Sequence, residues 1–200
     1  MKLVYSAFLH SAFLHSALLT VSLILTGCGT TNQTPTRLYL LPIQNSNSTD
    51  NAQRPLIVVK TVQLPDHLND QSLVYQVSDS RIVQAKKHLW ASDIAAQITQ
   101  RVVVELKTSQ IHYRPVHPKP SKQSEVLAEV TILLNRFNGS YTGNAEVSGN
   151  WEINFHSKKP PIIESFNITV PLKDDGYPAL VKALSEGVNE MTSGIASALK

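Results

Sequence analysis

The sequence has little cysteine, few aromatic residues and few charges. Its 200 residues include one cysteine, 6% aromatic residues and 16% charged residues. One cysteine excludes an intramolecular disulfide and any site built from paired cysteines. The formal net charge is only +3, and the basic residues are scattered, with doublets at 86–87 and 158–159 alone. Because a nucleic-acid footprint needs a clustered basic patch, no nucleic-acid partner is expected.

The usual signatures of catalysis are missing as well. The chain contains no GxSxG elbow, no P-loop and no GxGxxG. No motif therefore predicts a hydrolase nucleophile or a phosphate-binding loop. The histidines beyond residue 27 follow no metal-ligand spacing; they are His67, His88, His112, His117 and His156. We therefore expect no catalytic residue, no metal site, no bound cofactor and no enzyme activity.

The one cysteine, Cys28, follows a long apolar run. Lys2 precedes residues 7–25, which are almost all apolar or small, and this is the layout of a secretory signal peptide. Residues 25–28, Leu-Thr-Gly-Cys, resemble the lipobox of bacterial lipoproteins. The lipobox implies a thiol alkylated with diacylglycerol, cleavage before the cysteine, and acylation of the new N-terminus, typically with palmitate. The mature chain would then run from Cys28 to Lys200.

Two other interpretations of this segment are weaker. An uncleaved membrane anchor needs roughly 20 apolar residues, but His10 and His15 interrupt the run and no cationic stop-transfer cluster follows it. A buried free thiol is the second alternative. Cys28 lies between Gly27 and Gly29, ahead of a polar stretch, which is not a core environment.

The remaining chain is predicted to form one domain. Residues 1–27 are assigned to the signal peptide, and residues 28–36 are polar and aperiodic, which predicts a flexible tether. Residues 37–200 are long enough for a core without disulfide support.

Strands dominate the predicted domain. Runs of β-branched and alternating apolar residues predict strands at 37–43, 56–64, 72–77, 81–85, 126–137, 145–155 and 162–170. A hairpin turn is expected at 78–80, a longer turn from Asn138-Gly139 to Gly143, and an exposed loop over the proline-rich residues 112–124. Trp90 and Trp151 are expected in the core, because large aromatic side chains dominate buried contacts.

Two helices complete the fold. The first is predicted to start with Ser92 as N-cap and Asp93 in its first turn. The second is predicted after Asp174-Asp175, where carboxylates suit a helix start. Its apolar positions form one stripe: Val181, Leu184, Val188, Met191, Ile195 and Ala198. Since strands and helices do not alternate regularly, we expect an α+β fold, with an antiparallel or mixed sheet backed by two amphipathic helices.

Seven short segments, taken in order, resemble a known family. They are 38–42 (LYLLP), 59–68 (VKTVQLPDHL), 73–79 (LVYQVSD), 89–92 (LWAS), 136–143 (RFNGSYTG), 147–151 (VSGNW) and 175–177 (DGY). Together they are similar to the auxiliary lipoproteins of ABC-type transporters, in particular those of paraquat-inducible (Pqi) lipid-transport systems. One departure is Ser92-Asp93, where many members carry a proline, so the start of the first helix is expected to differ slightly.

The resemblance implies a lipid-anchored subunit on the periplasmic face of the outer membrane. Such a subunit would form a homo-oligomeric ring, dock the MCE-domain protein of the same Pqi system where its lipid conduit ends, and support membrane integrity. In many Gram-negative bacteria, an aspartate directly after the lipidated cysteine retains a lipoprotein in the inner membrane. This chain has Gly29 at that position, which fits the outer membrane. A periplasmic lipid carrier is the main alternative, and a hydrolase with an unrecognised site is the third.

Overall fold

A computed structural model describes residues 34–43, 53–109, 112–117 and 126–200. The predicted signal peptide, Cys28 and most of the tether lie outside the described residues. Pro35–Lys200 forms one compact unit. Its described elements, in chain order, are β1 (Arg37–Tyr39), β2 (Leu56–Val59), β3 (Ser72–Ser78), β4 (Arg81–Trp90), α1 (Ile94–Ser109), β5 (Arg114–Val116), β6 (Val126–Ser140), β7 (Asn144–Phe155), β8 (Ile162–Pro171) and α2 (Tyr177–Ala198).

The long strand β6 organises the sheet, because it is paired along both edges. One edge pairs antiparallel with β7 along nearly its whole length, and β7 pairs antiparallel with β8. The other edge pairs in parallel with β2 at its beginning and with β3 at its end. Beyond β2 lies β5, while β4 and then β1 lie beyond β3. This arrangement confirms a mixed sheet.

Alternation along β6 and β7 creates the apolar face of the sheet. The five predicted core positions of β6 are buried: Val126, Ala128, Val130, Ile132 and Leu134. On the same face, α2 packs across β7 and β8, and α1 packs against β2, β5 and α2. The predicted stripe of α2 faces this core, with Val188 and Ile195 fully buried. The prediction of an α+β fold with two amphipathic helices is confirmed.

One buried arginine ties the two helices together. Arg101 of α1 is only 2% exposed. Its Nε lies 2.8 Å from Glu105 Oε1, and its Nη2 donates to the amide oxygen of Asn189 on α2. Burial raises the pKa of Glu105, although the charge of Arg101 and hydrogen bonds to Thr192 and Arg101 oppose the shift. Because a buried charge needs partners, the contact between Arg101 and Asn189 fixes the position of α1 relative to α2.

A bulge in β6 interrupts the predicted alternation. The pairing register shifts between Leu134 and Arg136, opposite Gly149 of β7. A Cβ at Gly149 would lie 2.0 Å from the Leu133 carbonyl oxygen and 2.9 Å from Leu134 Cα. Only glycine allows this approach of two backbones. Because of the bulge, Phe137, which comes next along β6 after Arg136, lies on the buried side of the strand.

The first two predicted strands are shorter than expected. The strand predicted at 37–43 ends at Tyr39, because the backbone N–H of Leu41 donates to the side chain of Gln97 on α1 (2.9 Å). The strand predicted at 56–64 ends at Val59, and the N–H of Val62 donates to Thr99 Oγ1 (2.9 Å). The first segment leaves the ladder here, whereas the second turns to α1 only at Val62 and rejoins β6 at Gln63, whose N–H donates to the Ile132 carbonyl (3.0 Å). Local sequence does not reveal these contacts with α1.

The start of α1 differs from the prediction. β4 extends to Trp90, which pairs with Tyr39 of β1, and the helix begins at Ile94. Asp93, and not Ser92, is the N-cap: its Oδ1 accepts a hydrogen bond from the N–H of Ala96 (2.6 Å). The extra strand residues shift the helix start by one position. A carboxylate thus caps the helix at the departure from the family pattern.

Two predicted loops are partly strand. β6 continues through Asn138 and Gly139 to Ser140, because Gly139 pairs with Ala145 of β7 and Tyr75 of β3. The turn therefore occupies 141–143. Within the predicted loop at 112–124, Arg114–Val116 forms β5, which adds to β2 in parallel. Pairing with a distant strand outweighs the turn-forming composition in both places.

Candidate functional site

Cys28, the one residue with a predicted chemical role, lies outside the described residues, as does Gly29. Lipidation of Cys28 therefore stays a prediction. Among the described residues, no group of three or more histidine, aspartate or glutamate side chains is placed to hold a metal ion. The described domain is best searched for surfaces that could bind a partner.

Three rings from separate elements stack at one end of the domain. We call Tyr39 of β1, His88 of β4 and Tyr177 of α2 the aromatic stack. The His88 and Tyr177 ring centroids are 3.9 Å apart with an interplanar angle of 20°. The His88 ring centroid also lies 5.7 Å from that of Tyr39, and its Nδ1 is 2.8 Å from the Tyr39 hydroxyl oxygen. Two of the three rings belong to segments that carry the family resemblance.

The environment of His88 favours its neutral form. Burial lowers the pKa of His88, and the nearby positive charge of Arg37 lowers it further. A neutral imidazole stacks between two phenol rings without a buried charge to solvate. The stack is therefore suited to hold β1, β4 and the start of α2 together at neutral pH.

A cleft of about 670 Å³ opens beside the stack. Its walls come from β3, the β6–β7 turn, the segment between β8 and α2, and the first turn of α2. The lining residues are Tyr75, Gly143, Leu172, Lys173, Asp174, Asp175, Gly176, Tyr177 and Leu180. The lining mixes apolar side chains with charged ones, and a concave surface of this kind can bind a partner. We call this surface the aromatic cleft.

Glycines shape the aromatic cleft. Gly143 and Gly176 have φ angles of 82° and 89°, in the left-handed region that favours glycine. At a third glycine, Gly139, a Cβ would lie 2.4 Å from Tyr75 Cδ2. The Tyr75 ring therefore lies directly on the β6 backbone. These positions explain three glycines of the family-like segments by geometry.

The predicted capping role of Asp174 and Asp175 is wrong. α2 starts at Tyr177, with Gly176 as an N-cap that makes no side-chain capping hydrogen bond. The positive φ of Gly176 turns the chain between the carboxylates and the helix. Both aspartates instead line the aromatic cleft. They place negative charge at its rim.

A second contact lies in the turns next to the cleft. The Tyr141 hydroxyl donates to the carboxylate of Asp79, and the Tyr141 N–H donates to the Gln76 carbonyl (2.9 Å). The hydrogen bond to Asp79, followed by its charge, raises the pKa of Tyr141. This contact joins the β3–β4 turn to the β6–β7 turn. Tyr141 is nevertheless 52% exposed, so a partner can reach it.

The other histidines and the tryptophans lie away from this surface. His67 and His112 are exposed. His117 has its Nδ1 2.8 Å from the Val59 carbonyl oxygen, so it supports β2 rather than being fully solvated. Trp90 and Trp151 are 3% and 1% exposed, which confirms their core role.

The sequence pattern does not identify His88, because it follows two lysines and belongs to no ligand motif. Because side chains alternate along a strand, the sequence does place His88 on the same face as Trp90 and on the other face from Lys87. Nothing in the sequence indicates that Tyr177 lies beside it, since 89 positions separate the two residues.

Comparison with known proteins identifies the family. A model of the ABC-type transport auxiliary lipoprotein component matches residues 39–196. The chain belongs to this family. The intermembrane transport lipoprotein PqiC of Escherichia coli K12 is 31% identical over 181 residues, which cover 90% of this chain and 94% of PqiC. PqiC of Shigella flexneri matches equally. The domain is thus PqiC-like along nearly its whole length.

Solved structures support the fold. The crystal structure of an uncharacterized protein, 27% identical, superposes with a TM-score of 0.72 over 84% of this chain and 100% of its own. Protein XCC0632 of Xanthomonas campestris, 13% identical, reaches a TM-score of 0.63 over 80% of this chain and 92% of its own. The second likeness concerns the fold alone. In the described part of the chain, no helix is both long and apolar enough to cross a bilayer.

Proposed function

We propose that this protein is the outer-membrane-anchored lipoprotein of an MCE-type intermembrane lipid-transport system. The observation that carries the proposal is the 31% identity, over 90% of the chain, to an intermembrane transport lipoprotein. The lipobox-like residues 25–28 add an attachment point, with diacylglycerol and an N-acyl chain on Cys28. Two or more acyl chains hold a protein stably at a bilayer. Gly29 supports sorting to the outer membrane.

In this proposal the domain has a docking role. A PqiB-like MCE protein would bring the end of its hydrophobic conduit to a homo-oligomeric ring of this lipoprotein. The aromatic cleft is the surface best suited to receive it, because it is concave and partly apolar and is built from family-like segments of four elements. Tyr75 and Tyr177 offer rigid apolar area, which is typical of strong interface contacts. Asp174 and Asp175 favour a partner loop that carries basic residues.

Co-purification tests the docking role. The lipoprotein and its MCE partner are expressed together, extracted in detergent and captured through a tag on the MCE protein. Wild-type lipoprotein should be retained as an oligomer, and Tyr177→Ala should reduce its retention several-fold. Tyr113→Ala is the matched control, since Tyr113 is also half-buried but does not line the cleft. A wild-type protein that stays monomeric and is not retained would refute the proposal.

Anchoring is tested separately with Cys28→Ala. The variant should lack the lipid mass on intact-protein mass spectrometry and should not fractionate with the outer membrane. Its far-ultraviolet circular dichroism should be unchanged, because Cys28 lies ahead of the compact unit. Outer-membrane recovery of the variant would contradict the lipid anchor. Native mass spectrometry of the wild type adds a check, because bound lipid in the domain itself would favour the carrier function.

A further inference from the structure

The edge of the sheet that follows the predicted tether is unusually apolar. Leu38 and Leu40 are 64% and 61% exposed, among the highest values for large hydrophobic side chains in the described residues. Their neighbours Tyr39 and Leu41 face inward: Tyr39 joins the aromatic stack and Leu41 is buried. Alternation along an extended chain therefore turns both exposed leucines outward. The core does not account for them.

Positively charged side chains lie along the same edge of the sheet. Arg37 precedes Leu38 in β1 and pairs in register with His88 of β4. Lys86 and Lys87, directly before His88, are both exposed. The sequence has no acidic residue from Cys28 to Ile43. The carboxylate of Asp93, near the end of β4, is occupied in capping α1. We call Arg37, Leu38, Leu40, Lys86 and Lys87 the basic apolar edge.

The tether keeps this edge close to the anchored cysteine. Eight residues, 29–36, separate Cys28 from Arg37. Even a fully extended chain of that length reaches only roughly 30 Å. An apolar strip bordered by lysine and arginine is the composition that binds the interface of an anionic bilayer.

We propose that the basic apolar edge rests on the anionic headgroup region of the membrane that holds Cys28. This inference depends on lipidation of Cys28, which belongs to the proposed function, but not on docking to an MCE protein. Leu38 and Leu40 enter the boundary between headgroups and acyl chains, while Arg37, Lys86 and Lys87 contact lipid phosphates. Contact at this edge fixes the orientation of the domain on the membrane.

The opposite edge of the sheet offers a matched control. Ile163 of β8 is 63% exposed, which equals the exposure of the two leucines. It precedes Glu164 and pairs with Glu152 of β7. Carboxylates beside an apolar side chain disfavour an anionic surface. Ile163 thus nearly matches the leucines in exposure and has carboxylates as its paired and adjacent residues, with Lys158 and Lys159 confined to the β7–β8 turn. The comparison separates membrane contact from a general stickiness of apolar residues.

Spin labelling of the lipidated protein provides the test. Cys28 is the only cysteine and carries lipid in the anchored protein, so Leu40→Cys or Ile163→Cys introduces a single free thiol. Each lipoprotein is labelled and placed in vesicles of phosphatidylethanolamine and phosphatidylglycerol. Collision rates with oxygen and with a water-soluble nickel chelate report depth. The label at position 40 should meet the chelate several-fold less often than the label at position 163. Leu38→Cys repeats the measurement should the Leu40 variant fold poorly.

Two further measurements change the charge of the protein and the charge of the lipid. Lys86→Glu combined with Lys87→Glu should return the position-40 label to water in the anionic vesicles. Vesicles of phosphatidylcholine alone should give weaker shielding for the parent protein. Equal chelate access at positions 40 and 163 would overturn the inference. So would shielding of position 40 in an oligomer of the unlipidated Cys28→Ala protein without detergent, which indicates a second copy, or shielding only after the MCE protein is added.

Failure of this inference is distinguishable from failure of the proposed function. A lipoprotein that enters vesicles and retains the MCE protein, but keeps position 40 in water, refutes only the membrane contact. A chain that carries no lipid does not enter the vesicles at all, and then both proposals fail at the first step.

Discussion

The body of the domain and its aromatic end are held together by different means. In the body, Gly149 has no room for a Cβ against the β6 backbone, and Gly187 has none against the Val147 side chain. At the aromatic end, the aromatic stack joins three elements through ring contacts that remain partly exposed. Close packing of backbones tolerates little change, whereas stacked side chains leave a surface that can bind. The difference suggests that the body supplies stability and the aromatic end supplies recognition.

The largest effect is expected from Gly149→Ala in the body. The new Cβ would lie 2.0 Å from the Leu133 carbonyl oxygen, and its nearest atoms all belong to the β6 backbone, which cannot rotate away as a side chain could. The free energy of unfolding should fall by at least about 3 kcal/mol. Urea denaturation followed by circular dichroism measures it. Ser148→Ala, one position away on the open face, should change stability by less than about 0.5 kcal/mol. Equal stabilities of the two variants would show that the bulge relaxes.

Two glycines in α2 allow a second comparison between a closely packed position and an open one. A Cβ at Gly187 would lie 2.6 Å from Val147 Cγ2, whereas at Gly194 the nearest atom, Trp151 Nε1, is 3.8 Å away. Gly187→Ala should therefore destabilise the protein by about 1–3 kcal/mol. Gly194→Ala should stabilise it by about 0.5–1 kcal/mol, because alanine is the better helix former. Thermal unfolding of both variants gives the comparison, and changes of the same sign would contradict it.

The start of α1, next to the aromatic end, should be less sensitive. Asp93→Ala removes the hydrogen bond to the Ala96 N–H and should cost about 1 kcal/mol. Ser92→Ala removes no capping bond and should cost less than about 0.5 kcal/mol. Urea midpoints of the two variants decide between the caps. If Ser92→Ala loses more stability than Asp93→Ala, Ser92 is the N-cap, as the sequence predicts.

The smallest effect is expected from protonation of the aromatic stack. The pKa of His88 is lowered from its ordinary 6.5, so the unfolded chain binds this proton more readily than the folded one. Stability from this group is therefore present at neutral pH and is lost as the pH falls below about 6.5. His88→Gln should flatten the decline in urea midpoint between about pH 7.5 and pH 5.5. His67→Gln, at an exposed histidine, is the matched control for the substitution itself. An unchanged pH profile in His88→Gln would contradict the assignment.

Much of the fold could be predicted from the sequence, but most of the aromatic cleft could not. The alternation in β6 and the stripe of α2 predict their own buried faces, since burial imposes a period of two or 3.6. β5 and the early ends of β1 and β2 depend on partners far along the chain, such as Gln97 and Thr99 of α1. Local composition carries no record of those partners.

The sequence by itself determined the α+β class, the two apolar helix faces and the lipobox-like cysteine. Each of these depends on neighbouring residues or on a short motif. Only the tertiary structure brought His88 between Tyr39 and Tyr177, and only it placed Gly149 against the bulge of β6. It also set Leu38 and Leu40 on an exposed edge beside Lys86 and Lys87. Contacts between residues many positions apart follow from how the sheet is ordered, and that order is settled by packing of the whole chain.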